Sequence, residues 1–296
     1  MFSGSLVALV TPFDCDNRVD YTSLKRLIDF HVGQGSDGLV IAGTTGESAT
    51  LTHSEHVELI GRAVEIADGR LPIIAGTGSN STAQTVELSR AVEDTGIDAY
   101  LVVVPYYNKP VQEGLYQHFS VIADAVQKPV MMYNVPGRTV ADMLPETVGR
   151  LAKHDNILGI KEATGDIVRL KAIQLVVDDE FRLYSGDDFT LLPFIESGGH
   201  GVVTVSGNVV PRKVAKLCSL ARDGKSDEAK ALDATLQELN RLLFVESNPI
   251  PAKWAVSQMG LMGPDIRLPL TAFSAKYHDD MRAAMRVAGV TLENDA

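Results

Sequence analysis

Short aliphatic segments alternate with longer segments of helical periodicity along most of this chain. A short apolar run predicts a parallel strand that is buried on both faces, whereas a period of 3.6 residues predicts an amphipathic helix. The eight predicted strands cover residues 6–10, 38–41, 72–75, 99–104, 130–133, 157–160, 181–184 and 201–205. The predicted helices between them include residues 21–34, 54–67, 82–95, 112–125, 145–153, 167–177 and 189–196. This strict alternation favours an α/β fold in which a parallel sheet closes into a (β/α)8 barrel, the TIM barrel.

Local signals mark several helix ends, and one alternative fold competes with the barrel. Thr52 and Thr82 are predicted N-caps, and Gly35 and Gly96 are predicted stops. The alternative is an open, doubly wound sheet, but no G-x-G-x-x-G motif follows the first predicted strand. We therefore expect the closed barrel.

The pattern changes after about residue 224, where strand-like segments stop. Long amphipathic helices are predicted at residues 227–244, 249–259 and 275–287. No further strand is available to build a second sheet, so these helices form a C-terminal helical appendage. We expect residues 1–224 to form the barrel and residues 225–296 to form a helical domain.

Composition and charge exclude several classes of protein. Hydrophobic residues occupy 45% of the 296 positions, which is enough for a large core, and the net charge is −11. No basic tract is present to bind phosphates, so no nucleic-acid partner is expected, and an anionic substrate would need cations close to its site. Cys15 and Cys218 lie far apart, which suggests neither a disulfide framework nor a metal site and fits a cytoplasmic protein. Without a basic signal region or a long apolar run, we expect an unprocessed protein with no membrane partner.

One lysine, Lys161, ends the sixth predicted strand within I-L-G-I-K-E-A-T-G (157–165). Aliphatic and glycine residues lead into it, so its ammonium group is expected to be poorly solvated. Desolvation disfavours the charged form, lowers the pKa of a lysine, and makes the neutral amine available as a nucleophile toward a carbonyl. The alternative is that Lys161 extends into solvent and pairs with Glu162.

The loops after the carboxyl ends of the strands carry the chemistry in a barrel of this kind. The loop after the second strand is G-T-T-G-E-S (43–48), whose glycines allow a tight turn and whose hydroxyl and N–H groups suit a small carboxylate. The alternative is a plain turn in which Thr45 or Ser48 caps the next helix. After the seventh strand, Gly186 is a candidate for close backbone approach, and Asp187 is either a helix cap or a wall of the site.

Two loops with tyrosines lie at the same end of the predicted barrel. P-Y-Y-N-K-P (105–110) follows the fourth strand, and Y-N-V-P-G-R-T (133–139) covers the end of the fifth. Buried tyrosines are more often structural than catalytic, but here their hydroxyls would lie near Lys161. The forked guanidinium of Arg138 suits a carboxylate, and a solvated surface arginine is the alternative.

Together with G-I-K-E-A-T-G (159–165), S-G-D-D (185–188) and S-N-P-I-P-A-K-W (247–254), these motifs resemble the dihydrodipicolinate synthase family of pyruvate-dependent class I aldolases. The resemblance covers nearly the whole chain and implies a lyase of lysine (diaminopimelate) biosynthesis. Such an enzyme condenses pyruvate with L-aspartate 4-semialdehyde through a lysine Schiff base and gives 4-hydroxy-tetrahydrodipicolinate. The resemblance also implies that no metal or other cofactor is needed and that the protein is a homotetramer of two dimers.

The same resemblance implies a role for each site residue. Lys161 would form the Schiff base with pyruvate. The hydroxyl relay for protons would consist of Tyr133, Thr44 and Tyr107, the last inserted from a neighbouring subunit. The substrate-binding residues would be Thr45 for the pyruvate carboxylate, Arg138 for the carboxylate of the second substrate, and Gly186 and Val203 through their backbone carbonyls. Valine replaces the isoleucine of other family members at position 203, a change that should not affect a carbonyl.

A second site is implied at positions where feedback-inhibited members of the family bind L-lysine between subunits. Its residues would be Ser48, Ala49, His53, His56, Asn80, Gln84 and Tyr106. Without the resemblance, His53 and His56 would be interpreted as an exposed helical pair or a stray metal site. Lysine-sensitive members carry glutamate at position 84, so Gln84 predicts weak or absent inhibition because charge-assisted hydrogen bonds are stronger.

Two other functions stay open at this point. N-acetylneuraminate lyases and keto-deoxy-sugar-acid aldolases share the barrel, the lysine and the tyrosine, but Arg138 favours a short second substrate that bears a carboxylate. A non-catalytic small-molecule sensor on the same fold would be expected to lack the lysine or a relay hydroxyl. Both groups are present here.

Overall fold

Eight parallel strands close into a barrel in the computed structural model, which describes residues 2–292. The strands are Gly4–Ala8 (β1), Gly38–Ile41 (β2), Ile73–Gly76 (β3), Ala99–Val103 (β4), Val130–Asn134 (β5), Ile157–Glu162 (β6), Arg182–Ser185 (β7) and Gly201–Thr204 (β8). Each strand pairs with the next, and β8 pairs with β1 with Gly201 opposite Gly4. The predicted TIM barrel is therefore confirmed, and the open sheet is excluded.

Thirteen helices surround and extend the barrel within the described residues. They are Tyr21–Gln34 (α1), His53–Ala67 (α2), Thr82–Glu93 (α3), Gln112–Ala125 (α4), Pro136–Thr139 (α5), Pro145–Leu151 (α6), Ile167–Gln174 (α7), Leu191–Glu196 (α8), Pro211–Arg222 (α9), Ser226–Ala234 (α10), Gln237–Leu243 (α11), Ile250–Gln258 (α12) and His278–Val287 (α13). Short 3₁₀ turns occupy Ser48–Thr50, Ser206–Asn208 and Ala275–Tyr277. None of the helices in residues 2–292 has both the length and the apolar character that a membrane span needs.

The strands are buried on both faces, as parallel strands between helices must be. Side chains that point outward pack under the helices in a large apolar layer. Side chains that point inward fill the barrel itself, namely Leu6, Ala8, Val40, Ile74, Ala99, Leu101, Met131, Tyr133, Val135, Tyr184 and Val203. The barrel is thus a packed core with no open pore, and its polar chemistry is confined to its rim.

Two helical predictions are wrong in detail, and two helices, the short α5 and α9, were not predicted. Residues 227–244 form two helices, α10 and α11, because the chain turns at Thr235, whose hydroxyl donates to the Leu232 carbonyl at 2.7 Å. A side-chain hydroxyl bound to a nearby carbonyl competes with the helical hydrogen bond at that point. The predicted helix at 275–287 begins with the 3₁₀ turn and becomes α-helical only at His278. The helix α9, which begins at Pro211, was missing from the predicted set.

Helix ends follow the predicted signals in two of four cases. Thr52 caps α2 in a full capping box, and Gly35 ends α1 in the left-handed conformation, so both predictions are confirmed. Thr82 is the first residue of α3, whose cap is the preceding Ser81, and the helix ends at Glu93, before Gly96. The first prediction is wrong because the adjacent Ser81 offers an equivalent capping hydroxyl, and the second because the helix ends at Glu93 with Asp94 as its C-cap, before the left-handed Gly96.

The last four helices lie beyond the strands and pack against the barrel. α11 and α12 contact the 3₁₀ turn at Ser206–Asn208 that follows β8, and α12 and α13 pack together. We propose a domain boundary at residue 224, between α9 and α10. Met1 and residues 293–296 of the predicted domains 1–224 and 225–296 lie outside the described residues.

Candidate active site

Lys161 lies near the carboxyl end of β6 and is almost completely buried, with 6% of its surface exposed. Its Nζ lies 4.0 Å from the centroid of the Tyr133 ring, on the neighbouring strand β5. Burial lowers the pKa of Lys161 to about 7, and the positive charge of Arg138 acts in the same direction. The alternative that Lys161 extends into solvent is therefore wrong.

Glu162 does not face Lys161 as an ion-pair partner. Its carboxylate accepts hydrogen bonds from the Asn134 amide at 3.0 Å and from the backbone N–H of Thr164 at 2.9 Å. Burial raises the pKa of Glu162 against these hydrogen bonds. Among the charged groups, the buried Asp188 has the largest effect on the pKa of Lys161. It raises this pKa and so opposes the effect of burial.

The side chain of Lys161 has room only because residue 186 is glycine. A Cβ at Gly186 would lie 2.8 Å from Cε of Lys161 and 2.6 Å from Cβ of Ala163. Both separations are shorter than any normal carbon–carbon contact. The predicted close approach at this position is confirmed.

Tyr133 brings a hydroxyl to the same point. Its pKa is raised to about 12, mainly by burial, while the charge of Arg138 and a hydrogen bond with Thr44 lower it. Of the predicted relay, the structure therefore brings together Tyr133 and Thr44 beside Lys161. Tyr107 is not part of this group within the single chain, because its side chain is 86% exposed.

A cavity of about 160 Å³ lies at this end of the barrel. The predicted site residues that line it are Thr44, Thr45, Tyr133, Arg138, Lys161 and Gly186. Asp187 also lines the cavity and accepts hydrogen bonds from the N–H and the hydroxyl of Thr190, so it is both a wall and a local cap. Val203 does not line the cavity and belongs to the packed layer below it.

The loop that carries Thr44 and Thr45 is fixed by the C-terminal helices. Glu47 in this loop is fully buried, has a left-handed backbone with φ 56°, and pairs with Lys253 at 2.5 Å. Its other carboxylate oxygen accepts the backbone N–H of Arg267 at 3.2 Å. Since Thr52 caps the helix that follows, the alternative of a plain capping turn at Thr45 or Ser48 is wrong.

Asn248 is a cavity residue to which the sequence analysis assigned no role. It precedes α12, and its amide Nδ2 donates to the hydroxyl of Thr45 at 2.9 Å. Its backbone carbonyl accepts a long hydrogen bond of 3.5 Å from Arg138. The only sequence signal was its place in the S-N-P-I-P-A-K-W motif, which gives no indication of what the side chain contacts.

A second cavity of about 690 Å³ adjoins the first and shares Thr44, Val135 and Arg138 with it. Six of the seven residues predicted for a lysine site line it, namely Ser48, Ala49, His53, His56, Gln84 and Tyr106. Asn80, the seventh, does not line it, and its carbonyl accepts the amide of Asn108 at 2.8 Å.

The two histidines of this cavity differ in environment. His56 is buried, its Nε2 lies 2.7 Å from the Gly76 carbonyl and donates to it, and burial lowers its pKa. His53 is exposed. The interpretation of both as an exposed helical pair is therefore wrong. Within residues 2–292, no group of three or more His, Cys, Asp or Glu residues is arranged to hold a metal ion.

Both the sequence and the fold are similar to those of one family. The model of the Dihydrodipicolinate synthetase family matches residues 1–288. The 4-hydroxy-tetrahydrodipicolinate synthase of Ectopseudomonas mendocina (strain ymp) is 54% identical over 290 residues, which cover 98% of this chain and 99% of that protein.

Solved structures of similar proteins include two with ligands. The chloride-inhibited dihydrodipicolinate synthase from Acinetobacter baumannii, complexed with pyruvate, superposes with a TM-score of 0.96 at 45% identity, covering 98% of this chain and 100% of that one. The dihydrodipicolinate synthase from Cyanidioschyzon merolae with lysine bound gives a TM-score of 0.95 at 40% identity, with 98% and 99% covered.

Proposed function

Because the chain belongs to the dihydrodipicolinate synthetase family, we propose that it condenses pyruvate with L-aspartate 4-semialdehyde and that Lys161 captures the pyruvate. The enzyme is then a lyase of lysine biosynthesis whose product is 4-hydroxy-tetrahydrodipicolinate. The observation that carries the role of Lys161 is its buried amine beside the Tyr133 ring, with a pKa of about 7. Near neutral pH a large fraction of this amine is uncharged, as attack on a ketone requires.

The covalent intermediate accounts for carbon–carbon bond formation. The Lys161 amine adds to the keto carbon of pyruvate and water leaves, which gives a protonated imine. This imine draws electrons from the neighbouring methyl group, which loses a proton and becomes an enamine. The enamine attacks the aldehyde carbon of the second substrate. The amine of that substrate then displaces Lys161, which closes the ring and frees the enzyme.

Tyr133 and Thr44 carry the protons for these steps. A phenol of ordinary pKa is a poor base near neutral pH, and burial makes the hydroxyl of Tyr133 poorer still. The hydrogen bond with Thr44 and the charge of Arg138 both stabilise the anion and act against burial. A chain of hydroxyls therefore shares the proton load better than either hydroxyl alone.

Two carboxylates are bound by two residues that line the cavity. Thr45 binds the carboxylate of pyruvate, and Arg138 binds that of the semialdehyde through its forked guanidinium. The net charge of −11 repels both anions, so these local groups are needed to hold them. In this proposal the backbone carbonyls beside Lys161 come from Gly186, which lies against the lysine side chain, and from Val203 in the packed layer below the cavity.

The reaction needs no metal and no further cofactor in this proposal. The protonated imine polarises the substrate, which is the task that a Lewis acid performs in metal-dependent aldol chemistry. The requirement on the protein is to keep Lys161 unprotonated before capture and to hold both anions in place.

Tyr107 completes the relay from a neighbouring subunit, which requires at least a dimer. Its exposed ring supports this role, because the side chain does not line the cavity of its own chain. The full assembly is a homotetramer of two dimers, and the enzyme works in the cytoplasm.

The larger cavity binds L-lysine weakly in this proposal. Ser48, Ala49, His53, His56 and Tyr106 provide its walls. Asn80 contributes only from the adjoining loop. The neutral side chain at position 84 offers the ligand ammonium a weaker partner than a carboxylate would.

Borohydride reduction in the presence of pyruvate tests the proposed chemistry. Intact mass and peptide mapping should find one pyruvate-derived adduct, on Lys161, and the variant Lys161→Ala should give none. Turnover with L-aspartate 4-semialdehyde but not with N-acetylmannosamine separates this function from that of the sugar lyases. Absence of an adduct on Lys161 would overturn the proposal.

A further inference from the structure

Asn248 connects the two carboxylate-binding residues of the site. Its side chain bonds to Thr45, and its backbone carbonyl accepts from Arg138. It reaches the cavity from the segment before α12, and it lies 203 residues from Thr45 in sequence. Its side chain is buried, with 6% of the residue exposed.

The direction of the hydrogen bond determines what the Thr45 hydroxyl can do. A threonine hydroxyl has one proton to donate and two lone pairs that accept. Asn248 Nδ2 is a donor, so it occupies one lone pair of Thr45 Oγ1 and leaves the proton unused. No acceptor for that proton is present among residues 2–292, so the proton remains available to an anion in the cavity.

The opposite orientation of the amide would have a different consequence. If Oδ1 faced Thr45, the hydroxyl would donate to it and present only lone pairs to the cavity, which would repel a carboxylate. In the observed orientation, Oδ1 is buried and has no hydrogen-bond partner among the described residues. The opposite orientation would instead leave the amide Nδ2 buried and without that partner, so each orientation leaves one buried amide atom unpaired and the two differ in which atom faces Thr45.

We propose that Asn248 is a positioning residue, which holds the Thr45 hydroxyl so that its proton is donated to the carboxylate of the keto acid. The inference rests on the proposed function, since it requires that Thr45 binds the pyruvate carboxylate. Asn248 acts through Thr45 and does not itself touch the reacting atoms. The covalent chemistry at Lys161 is unchanged by it.

The test measures how the rate of borohydride trapping on Lys161 depends on pyruvate concentration, without the second substrate. Asn248→Ala frees the hydroxyl to rotate, and we expect half-saturation to rise about tenfold, the effect of losing one oriented hydrogen bond to a charged group. Asn248→Asp replaces the donor by an acceptor that takes the proton of Thr45, so half-saturation should rise further.

A double-mutant cycle separates positioning from general damage. In the Thr45→Val background, Asn248→Ala should give no further rise in half-saturation, because the group through which it acts is absent. The backbone carbonyl of residue 248 is retained, so the KM for L-aspartate 4-semialdehyde should change less than about threefold. Equal effects of Asn248→Ala in both backgrounds would overturn the proposal, as would unchanged half-saturation in the single variant.

Asn240 provides the matched control within the same appendage. It is buried, its amide donates to the carbonyl of Asp188 at 3.3 Å, and its Oδ1 also has no partner among the described residues. It does not line the cavity of Lys161. Asn240→Ala should leave half-saturation unchanged, and the melting temperature of Asn248→Ala should stay within about 3 °C of the wild type. A wild-type protein that forms no adduct would overturn the proposed function itself, and this inference with it.

Discussion

Lys161 and Tyr133 are register partners on adjacent strands, and the lysine nitrogen lies 4.0 Å from the centre of the tyrosine ring. The ring contributes to the burial of the amine, and the phenol hydroxyl lies near where a bound keto acid would exchange protons. In the proposed mechanism one residue thus has two separable roles, in the burial of the lysine amine and in proton transfer. Removal of the hydroxyl alone distinguishes them.

Tyr133→Phe keeps the ring and removes the hydroxyl. We expect turnover to fall by about 10²-fold or more, which is the usual contribution of a positioned acid–base group. The low pKa of Lys161 should persist, because burial is its main cause. Steady-state kinetics with both substrates measures the first effect. Near-normal turnover would exclude Tyr133 from the relay.

The pH dependence of pyruvate capture follows from the pKa of Lys161. Below about pH 7 the amine is mostly protonated and cannot attack, so kcat/KM for pyruvate should rise with pH and level off above that value. Asp188 raises this pKa, so Asp188→Asn should move the rising limb toward lower pH. A profile that is flat between about pH 6 and 8 would contradict the assignment.

Gly186→Ala tests whether the lysine needs the space beside it. The added methyl carbon would overlap Cε of Lys161, so the lysine must leave its position and trapping with pyruvate should be largely lost. Gly33→Ala is the control, because a Cβ at this exposed position in α1 meets no atom within 4 Å. The control should trap normally and gain slightly in stability, as expected for glycine to alanine in a helix. Normal trapping of pyruvate by Gly186→Ala would show that the side chain of Lys161 does not need the space that the glycine leaves.

The buried pair of Glu47 and Lys253 should matter for stability. Lys253→Met leaves the Glu47 carboxylate buried and without its charge partner, which should lower the free energy of unfolding by about 3–5 kcal/mol in urea titrations. Lys25→Met breaks the exposed pair with Asp29, whose carboxylate stays solvated and keeps Arg70 at 2.8 Å, and should cost less than about 1 kcal/mol. Similar losses of unfolding free energy in Lys253→Met and Lys25→Met would show that the pair of Glu47 and Lys253 does not stabilise the loop at residues 43–48.

The strands were predictable because burial on both faces leaves a continuous apolar run in the sequence. All eight were located, with ends that differ by at most two residues. The division between α10 and α11 was not predictable, because the hydroxyl of Thr235 interrupts a helical pattern that continues on both sides. Helix α9 was missed although its face carries buried Val214, Leu217 and Cys218.

The site was predictable where its residues follow strands, and not where they come from the appendage. Lys161, Tyr133 and Thr44 meet because parallel strands end at one rim. Asn248 and Lys253 reach the same loop from more than 200 positions away. The spacing of residues along the chain does not show which distant segments meet in the fold. Only the packing of the C-terminal helices against the barrel brings these side chains to the loop.

The side chain at position 84 allows a test of the proposed lysine site. Because it is a neutral glutamine, we expect no inhibition of the wild-type enzyme at sub-millimolar L-lysine. Its carbonyl oxygen accepts from the Ser79 hydroxyl at 3.0 Å, and a neutral amide offers an ammonium ligand no charge. Gln84→Glu supplies that charge at the same length of side chain. The lysine concentration for half-inhibition should therefore fall about tenfold, as measured by initial rates.

A control must separate a local partner from a general change in charge. Gln127→Glu adds the same negative charge at an exposed position before β5, at the end of the barrel opposite the cavity. It should leave the response to lysine unchanged, because exposed charges at that distance are screened by salt. Sub-millimolar inhibition of the wild type would show that Gln84 serves as well as glutamate. An equal gain in both variants would show that the added charge acts from a distance and that position 84 does not contact the ligand.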